Sequence, residues 1–214
     1  MANAKKLVKL LRAAEFGVIA RLFRRWLWSD DVGVGLHRDL AEPVSARKPR
    51  FPLQVRPIRN GEKAIFAETA ASQGEDLLDR VNAGHLLASG LRTCYVAVEG
   101  HGRPVYMQFL VFPDENPRLD DVFGGLIPPL GEDEALLEFA YTPEEYRGQG
   151  VMPYAVAMLV EEARRRGAQR LVTFVPGRNS AVLRFFQRIG FEPDRERRER
   201  YRLFRRTVSF EPLA

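Results

Sequence analysis

The chain has 214 residues, 45% of them apolar and 29% charged, with a formal net charge of +5. That length suits one hydrophobic core plus an extension, since single domains commonly run ~100–200 residues. One cysteine excludes an internal disulfide framework and a cysteine-rich zinc site, and no window approaches the ~20 apolar residues of a bilayer span. The first residues lack an apolar core followed by a small-residue cleavage site, so a reducing, cytoplasmic setting is expected.

The charge is unevenly placed. Residues 1–50 hold eleven Lys/Arg against five Asp/Glu, whereas the rest of the chain holds 22 against 23. A nearly neutral body argues against nucleic acid as a partner and assigns the basic excess to the extension. Met1 to Trp28 has helical spacing, with seven Lys/Arg among Leu, Val, Phe, Ile and Trp. Two readings of it compete: a helix in a membrane interface with Trp26 and Trp28 at headgroup level, or one docked on a partner protein or on the body. Homodimerisation is open as well. Ser29-Asp30-Asp31 is expected to end that helix, and Glu42 to Pro57 reads as a proline-rich linker. The expected division is an extension over residues 1–50 and a folded domain over 51–214.

Leu53 to Ile58 predicts the first strand of the body. Asn60 to Leu91 predicts two helical segments, broken near Gly74 and stopped near Gly90. Thr93–Glu99 and Arg103–Phe112 predict strands joined across Gly100-His101-Gly102, a hairpin signal. Cys94 falls in the first of these and reads as core, with no cationic or helix-terminal setting to activate it. Pro113 to Asp133 reads as a long loop with Phe123, Leu126 and Ile127 on an apolar side, and loops beyond ~12–15 residues tend to be functional or disordered.

Glu138 to Tyr141 predicts a strand ended by Thr142-Pro143. Gly148 and Gly150 then allow positive φ beside a helix start, with Pro153 in the first turn. Tyr154 to Arg166 has helical periodicity. A glycine turn opening a helix aims several N–H groups into one hollow, which suits a phosphate or diphosphate. Arg170–Val175 predicts a parallel neighbour strand, Asn179 a helix N-cap, and Gly190-Phe191 that helix's end. Arg197 to Phe210 predicts a final strand or hairpin arm, with the charge run Arg195–Arg206 as a solvated, charge-paired edge.

Two of these stretches carry a resemblance. Arg147-Gly-Gln-Gly-Val-Met152, preceded by Pro143-Glu-Glu-Tyr146, resembles the coenzyme A signature of the Gcn5-related N-acetyltransferase (GNAT) superfamily, Arg/Gln-x-x-Gly-x-Gly/Ala. Asn179-Ser-Ala-Val-Leu-Arg-Phe-Phe-Gln-Arg-Ile-Gly-Phe191 is similar to a second family motif at the expected distance, and the match spans roughly Leu53 to Phe210. The resemblance implies an α+β fold: a mostly antiparallel sheet of six to seven strands with a splayed parallel pair, flanked by helices. It implies acetyl transfer from acetyl-CoA to a primary amine of a small molecule, by direct attack and without a metal. A membrane-associated long-chain N-acyltransferase and a non-catalytic acyl-CoA-binding module are the alternatives.

By the same resemblance, Phe139 and Tyr141 would hold the pantetheine arm and Arg147, Gly148, Gln149, Gly150, Val151 and Met152 the diphosphate. Asn179 and Phe186 would complete the cofactor site. Glu138 is the candidate general base; Tyr141, Tyr154 or a water would protonate the thiolate, or it would leave unassisted. The sequence departs from the family at Phe186, where a tyrosine often protonates the thiolate, and at Met152, where Gly or Ala is usual.

Overall fold

A computed structural model describes residues 16–45, 48–68 and 74–213. The elements run α1 (Phe16–Leu27), β1 (Trp28–Asp39), β2 (Leu53–Pro57), α2 (Lys63–Ala67), α3 (Gly74–Leu87), β3 (Cys94–Glu99), β4 (Pro104–Val111) and α4 (Asn116–Phe123). They continue with β5 (Glu134–Tyr141), α5 (Val151–Arg165), β6 (Arg170–Pro176), α6 (Ser180–Arg188), β7 (Glu192–Arg202) and β8 (Arg205–Pro212). One sheet of eight strands results, in the order β2-β3-β4-β5-β6-β1-β7-β8. This exceeds the expected six to seven, and the added strand comes from the N-terminal region.

β1 is the main correction to the sequence reading. Residues 28–39, expected to end a helix and lead into a linker, pair antiparallel with β6 on one side and β7 on the other. They belong to the same sheet as the segment from residue 51 onward, so the boundary expected at residue 50 divides one sheet. The part of the expected N-terminal helix over residues 1–15 lies outside the described residues. Gly35 explains how this strand fits: a Cβ there would sit 2.7 Å from Arg195 Cγ and 2.9 Å from Phe174 Cε1. Leu36, 1% exposed, enters the core shared with α5 and α6. Leu36→Ala is therefore expected to cost ~2–5 kcal/mol, the range for a buried leucine. Urea denaturation measures it; a loss near zero would return β1 to the status of an accessory segment.

Two further expectations are revised. The predicted long loop contains α4, whose Pro117 lies in the first turn, where a missing N–H costs little. The charge-rich run in β7 is an interior strand between β1 and β8, and the free edge on that side is β8. Its Arg and Glu side chains are accommodated by pairing: Glu199 is buried and meets Arg25 of α1 at 2.7 Å.

Helices cover both sheet faces. On one side α5 and α6 pack against Leu110, Leu137, Leu171 and Val175. On the other, Phe66, Ala83, Leu86, Leu119 and Ile127 cover Met107, Phe109, Leu136 and Val172. α1 lies on α3 through Leu22, Leu77 and Val81, with Ile19, Trp26 and Leu78 around them.

Candidate active site

The site is built where β5 and β6 separate. They pair in parallel from Glu134↔Arg170 to Leu137↔Thr173, and no pairing continues beyond. β5 and β4 lose regular register at the same level, since Met107↔Tyr141 and Phe109↔Glu138 leave one extra residue on β5. Phe139 takes φ 51° within that bulge. A non-glycine residue in the left-handed region is uncommon, and a bulge re-aims the strand's backbone groups. Two sequence neighbours, Glu138 and Phe139, thus mark the fork in the sheet.

Glu138 is the first residue past the last parallel pair. Its carboxyl pKa is pushed up to about 7 by burial, while the nearby Arg197 guanidinium and the Phe139 N–H act in the other direction. Arg197 comes from β7, stands over the Phe174 ring, and donates to the Leu126 carbonyl at 3.1 Å. Burial lowers its own pKa, so it faces Glu138 as a partly desolvated cation. Sequence reasoning missed Arg197, because only the pairing of β7 with β1 brings it near Glu138.

The turn after β5 supplies the second half of the site. Gly148 has φ 73° and Gly150 φ 84°, with Gly150 as the N-cap of α5. Tyr154 donates the first helical bond to the Gly150 carbonyl at 3.2 Å, and Pro153 has no N–H to give. The N–H groups of residues 148–152 find no acceptor among the described residues. Five adjacent donors thus stand at the positive end of a 15-residue helix, the kind of terminus that favours an anion. Around Gly148 the position of a Cβ is open space, whereas at Gly150 it would meet Pro49 Cα at 3.3 Å. Gln149 is held from both sides, its backbone carbonyl accepting from Arg50 N–H at 3.1 Å and its side-chain Nε2 donating to the Glu145 carbonyl at 2.6 Å. The expected linker therefore crosses this turn and braces it.

Met152 does not cover the hollow. Its side chain is partly buried against the core on the α5 side of the sheet. Arg147 donates to the Thr142 carbonyl at 2.9 Å and approaches Asp76 and Asp79 of α3 at 3.8 Å each. Asn179 caps α6 as expected, its side chain accepting from Val182 N–H at 3.3 Å. Phe186 is 3% exposed and lies against the Phe185 and Phe191 rings, a core position on α6.

Tyr141 is also placed differently from a free acid. Its hydroxyl donates to Asp76 at 2.8 Å with Arg80 over the ring, and burial followed by the Asp76 bond raises its pKa. It brackets α3 to the end of β5. Cys94 is buried and its thiol is pushed up to about 12 by desolvation, consistent with a core role.

A cleft of about 720 Å³ opens beyond the end of β6, beside the start of β1. Glu75 and Asp79 of α3 line it on one side, Pro176 and Asn179 at the end of β6 on another, and Arg21 and Arg24 of α1 on a third. Arg25 fixes α1 in place through Asp31 (3.0 Å) and Glu199 (2.7 Å). The sequence carried no signal that α1 walls this cleft, since its contacts with α3 and β7 are long-range.

Comparison with known proteins agrees with this architecture. Residues 70–191 match the family model described as the acetyltransferase (GNAT) family. An acetyltransferase of Agrobacterium fabrum is 37% identical over 76 residues, which is 35% of this chain and 54% of that protein. The chain thus aligns with about half the length of that relative. Among solved structures, the GCN5-related glucosamine N-acetyltransferase region of a fungal multi-domain β-N-acetylglucosaminidase superposes with a TM-score of 0.59 at 17% identity. That match covers 84% of this chain and 22% of the other. A GNAT-family acetyltransferase structure from Novosphingobium aromaticivorans gives 0.52 at 14% identity, covering 87% and 66%. At these identities the structural likeness speaks for the fold alone.

Proposed function

Because the chain belongs to the GNAT acetyltransferase family, whose co-substrate is acetyl-CoA, we propose that it acetylates a primary amine of a small molecule by direct attack within a ternary complex. The observation that carries this reading is the coincidence at one fork of parted strands, five unpartnered amides and a carboxyl with a pKa of about 7. The amides of residues 148–152 hold the diphosphate, and the gap between β5 and β6 admits the chain bearing the thioester. Glu138 accepts a proton from the amine, directly or through one water, as its nitrogen bonds the acyl carbon and the carbon–sulfur bond breaks. A base poised near 7 suits this work at neutral pH. The proton balance closes when the released thiolate takes up a proton from solvent.

Most of the barrier reduction comes from alignment, since holding two reactants in place is worth ~7–11 kcal/mol in favourable cases. The cleft beyond the end of β6 is large enough for a small acceptor, and Asp31, Glu75 and Asp79 give an approaching ammonium carboxylate neighbours. Thiol release from acetyl-CoA across a panel of small primary amines tests the proposal. Turnover with at least one amine, rising with pH through about 7, is expected. Binding of acetyl-CoA with no amine-dependent thiol release across the panel would instead favour a binding module.

A further inference from the structure

The turn between β7 and β8 has a composition that its geometry does not favour. Arg202 pairs with Arg205, leaving a two-residue loop of Leu203 and Phe204 with φ of 48° and 67°. Both central residues in the left-handed region define a type I′ turn, for which Asn-Gly is the preferred pair. Leu and Phe are strained there, and they are also 70% and 53% exposed. Neither backbone preference nor burial accounts for them, and strain retained at an exposed position points to a function.

Their neighbours extend the same surface. Phe204 packs edge-on against Phe23 at 5.2 Å, and the turn donates N–H groups to the Leu27 and Trp26 carbonyls at 2.8 Å each. Trp28, 66% exposed, lies beside it with Arg202 over its ring at 4.0 Å. Among the described residues seven large apolar side chains are exposed, and Phe23, Leu27, Trp28, Leu203 and Phe204 gather at this one corner. Exposed Arg24 and Arg205 stand among them.

We infer that this corner is a docking surface for an anionic lipid bilayer, with the Leu203-Phe204 tip and Trp28 entering the interface and the basic residues meeting the headgroups. An apolar tip flanked by cations is complementary to such a surface, where buried apolar area and electrostatic attraction add. Trp28 and Arg24 also line the cleft, so docking would bring the cleft's rim to the lipid interface. The inference does not depend on acyl transfer being the chemistry.

The test uses the full chain and the double variant Leu203→Asn/Phe204→Gly, in sedimentation with vesicles of mixed phosphatidylglycerol and phosphatidylcholine and of phosphatidylcholine alone. Wild-type protein should bind the anionic vesicles, bind the neutral ones weakly, and release with salt. The variant should lose about tenfold or more in partition, because two apolar side chains leave the interface. Its melting temperature should rise by a few degrees, as the turn gains its preferred residues, and turnover on a soluble amine should be unchanged. Equal binding by both proteins, or equal binding to both vesicle types, would overturn the inference. So would a wild-type dimer that dissociates in the variant without any vesicle binding, which would identify a second copy as the occupant.

Discussion

Glu138→Gln is expected to reduce acetyl transfer by about 10²–10⁴-fold, the usual worth of a positioned general base. The wild-type rate should rise with pH through about 7, because the carboxyl must lose its proton to act and burial has pushed its pKa to about 7. The variant's residual rate should lack that limb. The same substitution has a stability signature of opposite value to the cell. A carboxyl whose folded pKa is raised above its unfolded value favours the native state while protonated, and that contribution is lost as pH rises toward 7. Gln mimics the protonated form at every pH. The variant's stability advantage should therefore grow by about 2–3 kcal/mol between pH 5 and pH 8, since the difference accrues at ~1.4 kcal/mol per pH unit only up to about pH 7. Urea denaturation at the two pH values, beside the rate profile, reads both effects. A variant with wild-type turnover would move the base elsewhere.

The two glycines of the turn should fail in different ways. Gly150→Ala places a Cβ 3.3 Å from Pro49 Cα at φ 84°, so it meets both a steric neighbour and the left-handed penalty. A loss of ~2 kcal/mol or more is expected, since that conformation alone costs ~1–2 kcal/mol for a residue with a Cβ. Gly148→Ala at φ 73° meets no neighbour, so its stability loss should stay near the conformational penalty of ~1–2 kcal/mol. Its methyl enters the open space where a diphosphate would approach, and acetyl-CoA affinity should fall about tenfold or more, one poorly formed charge-assisted hydrogen bond being worth that much. Denaturation midpoints and calorimetric titration separate the two. Equal affinity in wild type and Gly148→Ala would place the anion elsewhere.

The part of this molecule that local chemistry determines was the part legible in the sequence. The Gly148-Gln149-Gly150 turn, the Asn179 cap and the Gly167 and Gly190 stops each act within a few residues, and each stands where expected, with positive φ at all four glycines. The parallel β5–β6 pair followed from the α5 crossover between them. β1 was hidden because Gly33 and Gly35 lower its strand propensity. Their reason is visible only across the sheet, where Arg197, Arg195 and Phe174 occupy the space their side chains would fill. The charge run in β7 looked solvated for the same reason: Arg25, the partner of buried Glu199, is 174 positions away. Arg197 at the fork and the α1 wall of the cleft share that origin. Phe186 holds the family's motif position and also pairs with the Phe191 ring at 4.9 Å, a contact that the motif alone does not show.

In the proposed reaction the main-chain amides opening α5 grip the diphosphate of coenzyme A while β5 and β6 stand apart beyond Leu137. Backbone amide resonances followed during a coenzyme A titration read this contact. The largest shifts are expected at Gly148, Gln149, Gly150, Val151 and Met152, with a second set at Glu138 and Phe139 on the fork. Saturable binding that leaves those seven amides in place, and moves resonances elsewhere, would contradict it.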